Sequence, residues 1–164
     1  MLVASTRKGT RHLLHTFGTK MKPGVTAEFE TTEFAGITAK IINPYPSPVT
    51  VLDMTIKPGF GAPAHISSTE DKLFIVIEGQ LKYLISDMTE TVGPGARVII
   101  PRGVIHGFTN AGVDDARHIL VSTPRRHEEF FRDLNNIPEP RDQHRDQLPA
   151  IAQRHDQAVV GPLP

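Results

Sequence analysis

Residues 93–110 read GPGARVIIPRGVIHGFTN, and this stretch decides the fold. Gly95 follows a tight turn and opens a short apolar strand, which ends at a second turn, PRG. The strand after that turn carries His106 and ends at Asn110. Short strands joined by turns of glycine and proline are typical of an all-β protein.

Similar short β-rich runs lie on both sides of this stretch, and turn signals separate them. The runs cover residues 34–42, 49–56, 73–79, 80–86, 96–101, 105–109 and 117–123. Strands this short and evenly spaced favour a closed sandwich or barrel over a sheet of βαβ units. In residues 49–56 the alternation places Thr50, Leu52, Met54 and Ile56 on the core side. The run 73–79 is continuously apolar, which predicts a strand covered on both faces.

The pattern predicts three parts of one domain. Residues 1–35 are predicted to form an N-terminal arm and edge strand, residues 36–124 the barrel, and residues 125–164 a helical tail packed on the same domain. In the tail, Phe130, Phe131 and Leu134 have helical spacing. A second short helix is predicted in LPAIAQRHD, and the final AVVGPLP is predicted to add an edge strand.

Composition excludes several classes of partner. The 18 basic and 18 acidic residues give a formal charge of zero, so no net field attracts nucleic acid or an anionic membrane. The chain has no cysteine and therefore no disulfide or thiolate ligand. No run is apolar for long enough to predict a signal peptide or a membrane span. We expect a soluble cytoplasmic protein that binds a small molecule.

A second stretch, HISSTEDKLFIVIEG at residues 65–79, combines with the first to indicate a family. Residues 93–110 resemble the second motif of the cupin superfamily, whose places are filled by Gly95, Pro101, Gly103, His106 and Asn110. The first motif resembles glycine, five residues, His-x-His, three or four residues, glutamate, six residues and glycine. Gly59, His65 and Gly79 fit that motif, but Ser67 stands at the second histidine position and Lys72 at the glutamate position.

The resemblance extends to small single-domain cupins that are often described as quercetin dioxygenase-like. It implies a jelly-roll barrel, also called a double-stranded β-helix, with short C-terminal helices and a site in the barrel mouth. It also implies a homodimer. In such cupins the two histidines of His-x-His, the glutamate and the later histidine bind iron, manganese, nickel, copper or zinc.

The altered ligand set argues against a metal cofactor. Of the four ligands only His65 and His106 remain, and a serine hydroxyl is a poor ligand for such ions. An ammonium at Lys72 would repel a dication, at a cost of roughly 4 kcal/mol per unit of charge product at ~4 Å and an effective dielectric near 20. The alternative is a divalent transition metal held by both histidines with Asp71 or Glu70. On a straight strand the Asp71 side chain points to the face opposite that of Lys72, so a bulge would be needed to turn Asp71 toward the histidines.

Lys72 has two interpretations, a surface lysine at a strand start or an amine inside the cup. Burial and nearby positive charge would lower the pKa of an inward amine, which could then transfer protons or trap a carbonyl group. Without metal, His65 and His106 are candidate general acids or bases. Ser67 is a candidate for orienting substrate, and four aromatic side chains are candidates for shaping the pocket: Phe60, Phe74, Tyr83 and Phe108. The histidines outside the motifs are expected at the surface, namely His12, His15, His118, His127, His144 and His155.

These observations predict a small enzyme acting on a small organic molecule, which the resemblance implies to be aromatic or polyketide-like and part of secondary metabolism. The predicted chemistry is metal-independent proton transfer of the isomerase, cyclase or lyase type, carried out by His65, His106 and Lys72. One alternative is a metal-dependent, dioxygenase-like oxidoreductase with an irregular ligand set. The other is a barrel that binds a small molecule without catalysis.

Overall fold

A computed structural model describes residues 23–43 and 46–164 of the chain. It contains eleven strands, two α-helices and one 3-10 helix. The strands are β1 Glu30–Phe34, β2 Ile37–Ile41, β3 Thr50–Ile56, β4 Gly61–Ile66, β5 Asp71–Glu78, β6 Leu81–Ile85, β7 Met88–Val92, β8 Arg97–Ile100, β9 His106–Asn110, β10 Ala116–Thr123 and β11 Ala158–Val159. The helices are α1 His127–Asn135, the 3-10 helix Arg141–Gln147 and α2 Leu148–Arg154.

The strands form two antiparallel sheets that enclose the core. One sheet has the order β1-β2-β3-β10-β5-β8 and the other β11-β4-β9-β6-β7. Their inner faces contribute the largest buried side chains, including Leu52, Tyr83 and Leu120. The predicted all-β jelly-roll class, with short helices at the C-terminal end, is confirmed.

The predicted face of β3 is confirmed, but that of β5 is wrong. Thr50, Leu52, Met54 and Ile56 are buried while the alternate residues are half-buried, because one face of β3 packs on the core. β5 was predicted to be covered on both faces. It alternates instead, with Phe74 buried and Ile77 exposed, because only one face of its sheet packs inward.

The chain ends add elements around this frame. α1 and α2 lie where helices were predicted, and the polar linker between them contains the 3-10 helix. β11 pairs with β4 at the edge of the smaller sheet, as the C-terminal pattern indicated. β1 is the edge strand of the larger sheet, whereas the rest of the predicted N-terminal arm, up to residue 22, lies outside the described residues. In the described ranges, no helix is long and apolar enough to cross a membrane.

Candidate functional site

The candidate site lies where β4, β5 and β9 meet the C-terminal tail. His65 on β4 and His106 on β9 are direct register partners, so the antiparallel pairing places both rings side by side. The ring centroids are 4.1 Å apart, and both side chains are buried. The adjacent sheet supplies Lys72 from β5. The structure therefore brings together the three residues predicted to carry chemistry.

Lys72 points into the protein. The residue is 3% exposed, so the interpretation as a surface lysine is wrong. The Nζ atom donates to Ser67 Oγ at 2.7 Å and Gln157 Oε1 at 3.0 Å, and it lies 3.2 Å from His106 Nε2. Ser67 in turn donates to Gln157 Oε1 at 3.0 Å, which leaves the serine oxygen free to accept from the lysine. Three acceptors thus surround one ammonium group.

Backbone carbonyl groups fix the tautomers of the two motif histidines. His65 Nδ1 lies 2.7 Å from Pro63 O, and His106 Nδ1 lies 2.9 Å from Val104 O. Because a carbonyl oxygen can only accept, each Nδ1 carries the proton and each Nε2 presents a lone pair. His106 Nε2 accepts from Lys72, whereas the hydrogen bond of the His65 ring within the described part of the chain is made through Nδ1.

Glu70 and His127 form a second buried pair beside Lys72. His127 Nδ1 lies 2.9 Å from Glu70 Oε2, and the same oxygen is 4.0 Å from Lys72 Nζ. Burial raises the pKa of the Glu70 carboxyl, but His127, Lys72 and Arg126 outweigh that effect and hold it below its usual value. Glu70 is therefore an anion that balances the lysine charge.

Burial and neighbouring charge give Lys72 a different protonation state from that of His65 and His106. Burial lowers the pKa of the Lys72 amine to about 8, against the opposing effect of Glu70 and Asp156. Burial, and then the charge of Lys72, lower the pKa of His106 to about 3 and that of His65 well below its usual value. At neutral pH Lys72 is thus mainly an ammonium that can still lose a proton, and both imidazoles are neutral.

A cavity of about 820 Å³ opens onto this cluster. Its polar wall includes His65, Lys72, His127 and Gln157. Of the four aromatic residues expected to shape it, Phe74 and Phe108 line the wall.

Three of the predicted substrate-binding residues lie elsewhere. Phe60 is 45% exposed and sits against Gly36. Tyr83 is buried in the core, where its hydroxyl lies 2.7 Å from His118 Nδ1. Ser67 is buried behind Lys72 and contacts the amine instead of the cavity. The expectation that these three side chains line the pocket is corrected accordingly.

Comparison with known proteins gives the family. A family model described as Cupin domain matches residues 52–122, which span both motifs. Residues 52–122 of this protein are a cupin domain. Solved structures share the fold. An RmlC-like cupin from Shewanella frigidimarina matches at TM-score 0.58 and 14% identity, over 67% of this chain and 96% of that one. KdgF from Halomonas matches at TM-score 0.56 and 20% identity, over 61% and 90%.

A sugar phosphate isomerase of the cupin superfamily from Silicibacter pomeroyi matches at TM-score 0.51 and 22% identity, over 54% of this cupin and 59% of that chain. At such low identities these likenesses show the fold alone. No curated protein matches the sequence. The narrower likeness to quercetin dioxygenase-like members stays a prediction.

The metal-binding residues found in many cupins do not fit here. The lone pair of His106 Nε2 is directed at the Lys72 amine, and Lys72 stands at the sequence position where the resembled motif has its glutamate. Asp71, one suggested substitute, faces outward and pairs with Arg102 at 2.5 Å. Glu70, the other, is engaged by His127. Among the described residues, no three histidine, aspartate or glutamate side chains are placed to share an ion.

Two site residues of this cupin were missed from the sequence, His127 and Gln157. His127 was assigned to the surface but is 5% exposed and lines the cavity. The signal was present, because His127 precedes Phe131 and Leu134 at helical spacing and therefore shares their buried face. Gln157 stands alone before a two-residue strand, and no sequence pattern marks it.

The other non-motif histidines divide between surface and core. His118 was also expected at the surface but is fully buried, and burial lowers its pKa to about 3. It lies on the inner face of β10, between Phe74, Tyr83 and Phe108. His144 and His155 are half-buried, and His155 Nε2 lies 2.8 Å from Asp133. His12 and His15 lie outside the described residues.

Proposed function

We propose that this cupin is an enzyme that moves a proton within a small carbonyl-containing substrate, in a reaction of the isomerase, cyclase or lyase type. One observation carries the proposal. The wall of a large cavity presents a buried ammonium, Lys72, and a neutral imidazole, His65, for whose Nε2 the described residues supply no hydrogen bond. An acid and a base with opposite protonation states, held in one site, are the requirement for proton transfer.

The step balances without a redox partner. The substrate carbonyl oxygen replaces one of the three acceptors of the Lys72 ammonium and takes a proton from it, while His65 Nε2 removes a proton from the adjacent carbon. The electrons of the broken C–H bond form the C=C bond of an enol. His65 then returns its proton to another carbon conjugated with the enol, and the enol O–H returns its proton to the Lys72 amine. This restores the carbonyl group and both side chains and completes an isomerisation. When Lys72 loses its proton, the charge that depresses the pKa of His65 disappears, so the imidazole becomes a stronger base as the reaction proceeds.

The surrounding residues support the two reacting groups. His106, Ser67 and Gln157 each accept from the lysine, so the ammonium is held in one place without burying a second cation. Glu70 offsets its charge. The named activity of the sugar phosphate isomerase is compatible with this chemistry, although its likeness to this cupin covers the fold only.

Hydrogen exchange tests the proposal without knowledge of the natural substrate. A panel of enolisable ketones and keto acids is incubated with the protein in D₂O, and deuterium incorporation is followed by mass spectrometry. We expect catalysed exchange that falls at least 100-fold in Lys72→Met, as is usual when an acid–base group is lost. The control is Lys57→Met, because Lys57 is exposed and does not line the cavity. Exchange that survives in Lys72→Met, or none with any probe, would overturn the proposal.

A covalent role for Lys72 is tested separately. Borohydride reduces an imine between the lysine and a carbonyl substrate to a stable amine, and peptide mass spectrometry locates it. We expect catalysed exchange without an adduct at Lys72, since all three ammonium hydrogens have acceptors. An adduct at Lys72 would show that the lysine binds the carbonyl group covalently, and it would contradict a role limited to proton transfer.

A further inference from the structure

The cavity wall is apolar outside the Lys72 cluster. It includes Met54, Phe74, Phe108, Leu120, Phe131 and Leu134. Hydroxyl groups placed against this wall would lose their hydrogen bonds to water without replacement. Its volume of about 820 Å³ lies in the range of cavities that enclose a drug-sized molecule. Both properties match a substrate with a bulky apolar body and disfavour a sugar phosphate.

One further charge lies on the wall. Arg145, from the 3-10 helix, lines the cavity and is exposed, whereas Lys72, His65 and His127 are buried. The arginine is therefore an accessible charge of the cavity lining, whereas the lysine cluster is a buried one. Within residues 23–43 and 46–164, the Arg145 guanidinium has no ion-pair or hydrogen-bond partner, although most other arginines there pair with carboxylates.

We propose that the ligand is an apolar carboxylic acid, whose carboxylate pairs with Arg145 at the mouth while its apolar body fills the cavity. The inference rests on the proposed function only in placing a carbonyl group beside Lys72. A planar guanidinium suits a carboxylate because it can donate two parallel hydrogen bonds. Such a ligand would contact Arg145 through its carboxylate and Lys72 through its carbonyl group, and the aromatic rings of the cavity wall would pack against the apolar part.

Calorimetric titration with three probes tests the inference: 4-phenylbutanoate, its neutral amide, and glucose 6-phosphate. We expect the acid to bind at least tenfold more tightly than the amide, and glucose 6-phosphate not to bind. Arg145→Gln should reduce the preference for the acid to about one while leaving the affinity for the amide unchanged. Arg154→Gln is the matched control, since Arg154 is also exposed but pairs with Asp133 at 2.8 Å. Its preference should equal that of the wild type.

Preferential binding of glucose 6-phosphate, or an acid preference that survives Arg145→Gln, would overturn the inference. The outcome is separable from that of the exchange experiment. If the acid preference is present but no probe exchanges, the ligand class stands and the enzymatic proposal fails. If exchange occurs and depends on Lys72 but the acid preference is absent, the enzymatic proposal stands and the ligand class fails.

Discussion

Protonation of Lys72 is coupled to that of the histidines beside it. After burial, the lysine charge is the largest effect that lowers the pKa of His65 and of His106. A second proton would place two cations 3.2 Å apart, between Lys72 Nζ and His106 Nε2, in a site shielded from water. The three side chains therefore carry one positive charge at neutral pH, and it lies mainly on Lys72. This is the charge state needed to pass a proton, and it is unfavourable for binding a dication.

The cost of keeping Lys72 charged predicts a pH dependence of stability. The pKa of its amine is about 8 in the folded protein, below the value of about 10.4 in an unfolded chain. Between these values the unfolded chain binds more protons, so the stability of the wild type rises with pH. Relative to Lys72→Met, the wild type should gain roughly 1.4 kcal/mol per pH unit from pH 8 to pH 10.

Denaturant unfolding of both proteins across that pH range measures the difference, and groups that titrate equally in both cancel. The neutral histidines do not contribute, because they are already unprotonated above pH 8. Lys57→Met, an exposed lysine, should give a curve parallel to that of the wild type. A parallel curve for Lys72→Met would show that burial does not destabilise the ammonium.

At the scale of the elements, the antiparallel pairing of β4 with β9 sets the geometry of the site. The register between these strands shifts between Ala62 and His65, which is where a bulge can redirect a side chain. Gly61 begins β4 in close contact with β9: a Cβ atom on this residue would lie 1.9 Å from Phe108 O. The glycine therefore permits the approach that brings His65 opposite His106.

Gly61→Ala should destabilise the protein by at least about 1–3 kcal/mol, the usual range for overpacking, because the contacted atom is backbone and cannot rotate away. The midpoint of chemical unfolding measures the loss. Gly24→Ala is the control, since nothing lies within 4 Å of a Cβ there. An unchanged midpoint for Gly61→Ala would mean that the two strands can separate without cost.

Strands and helices with one apolar face could be predicted from the sequence. Strands that form only because a neighbouring strand pairs with them could not. β3 alternates clearly because one face is buried and the other is not. β4 contains glycine, proline and alanine, which are weak strand formers, and it is defined by pairing with β9 and β11. β7 has no buried face that a sequence pattern could indicate, because it is almost wholly exposed and pairs only with β6.

The same distinction applies to the site. His65, Lys72 and His106 were found because their spacing follows two local motifs. Gln157 was not found, because it reaches Lys72 across 85 positions of sequence. The inward direction of Lys72 agrees with strand parity, which places it on the face of the buried Phe74 and Val76. Parity also places Asp71 outside, as observed.

At the scale of the whole molecule, the outer face of the larger sheet is apolar. Leu73 lies beside Ile99 on one side and Val121 on the other, and Val121 lies beside Val51. Ile99 is 69% exposed. A continuous apolar patch on a sheet face marks an interaction surface. Asp71–Arg102 and Asp53–Arg117 flank it, so its rim carries both signs of charge.

We propose that a second copy of the chain covers this face, because a twofold axis presents the same apolar rows and the same mixed rim to each partner. Sedimentation analysis should give twice the mass of one chain for the wild type. Ile99→Glu should shift the protein to one chain, since the carboxylate would be buried without a partner. Val113→Glu, at an apolar residue that is 90% exposed outside the face, should remain a dimer. A wild type that sediments as one chain at every concentration, or a dimer that tolerates Ile99→Glu, would contradict this pairing.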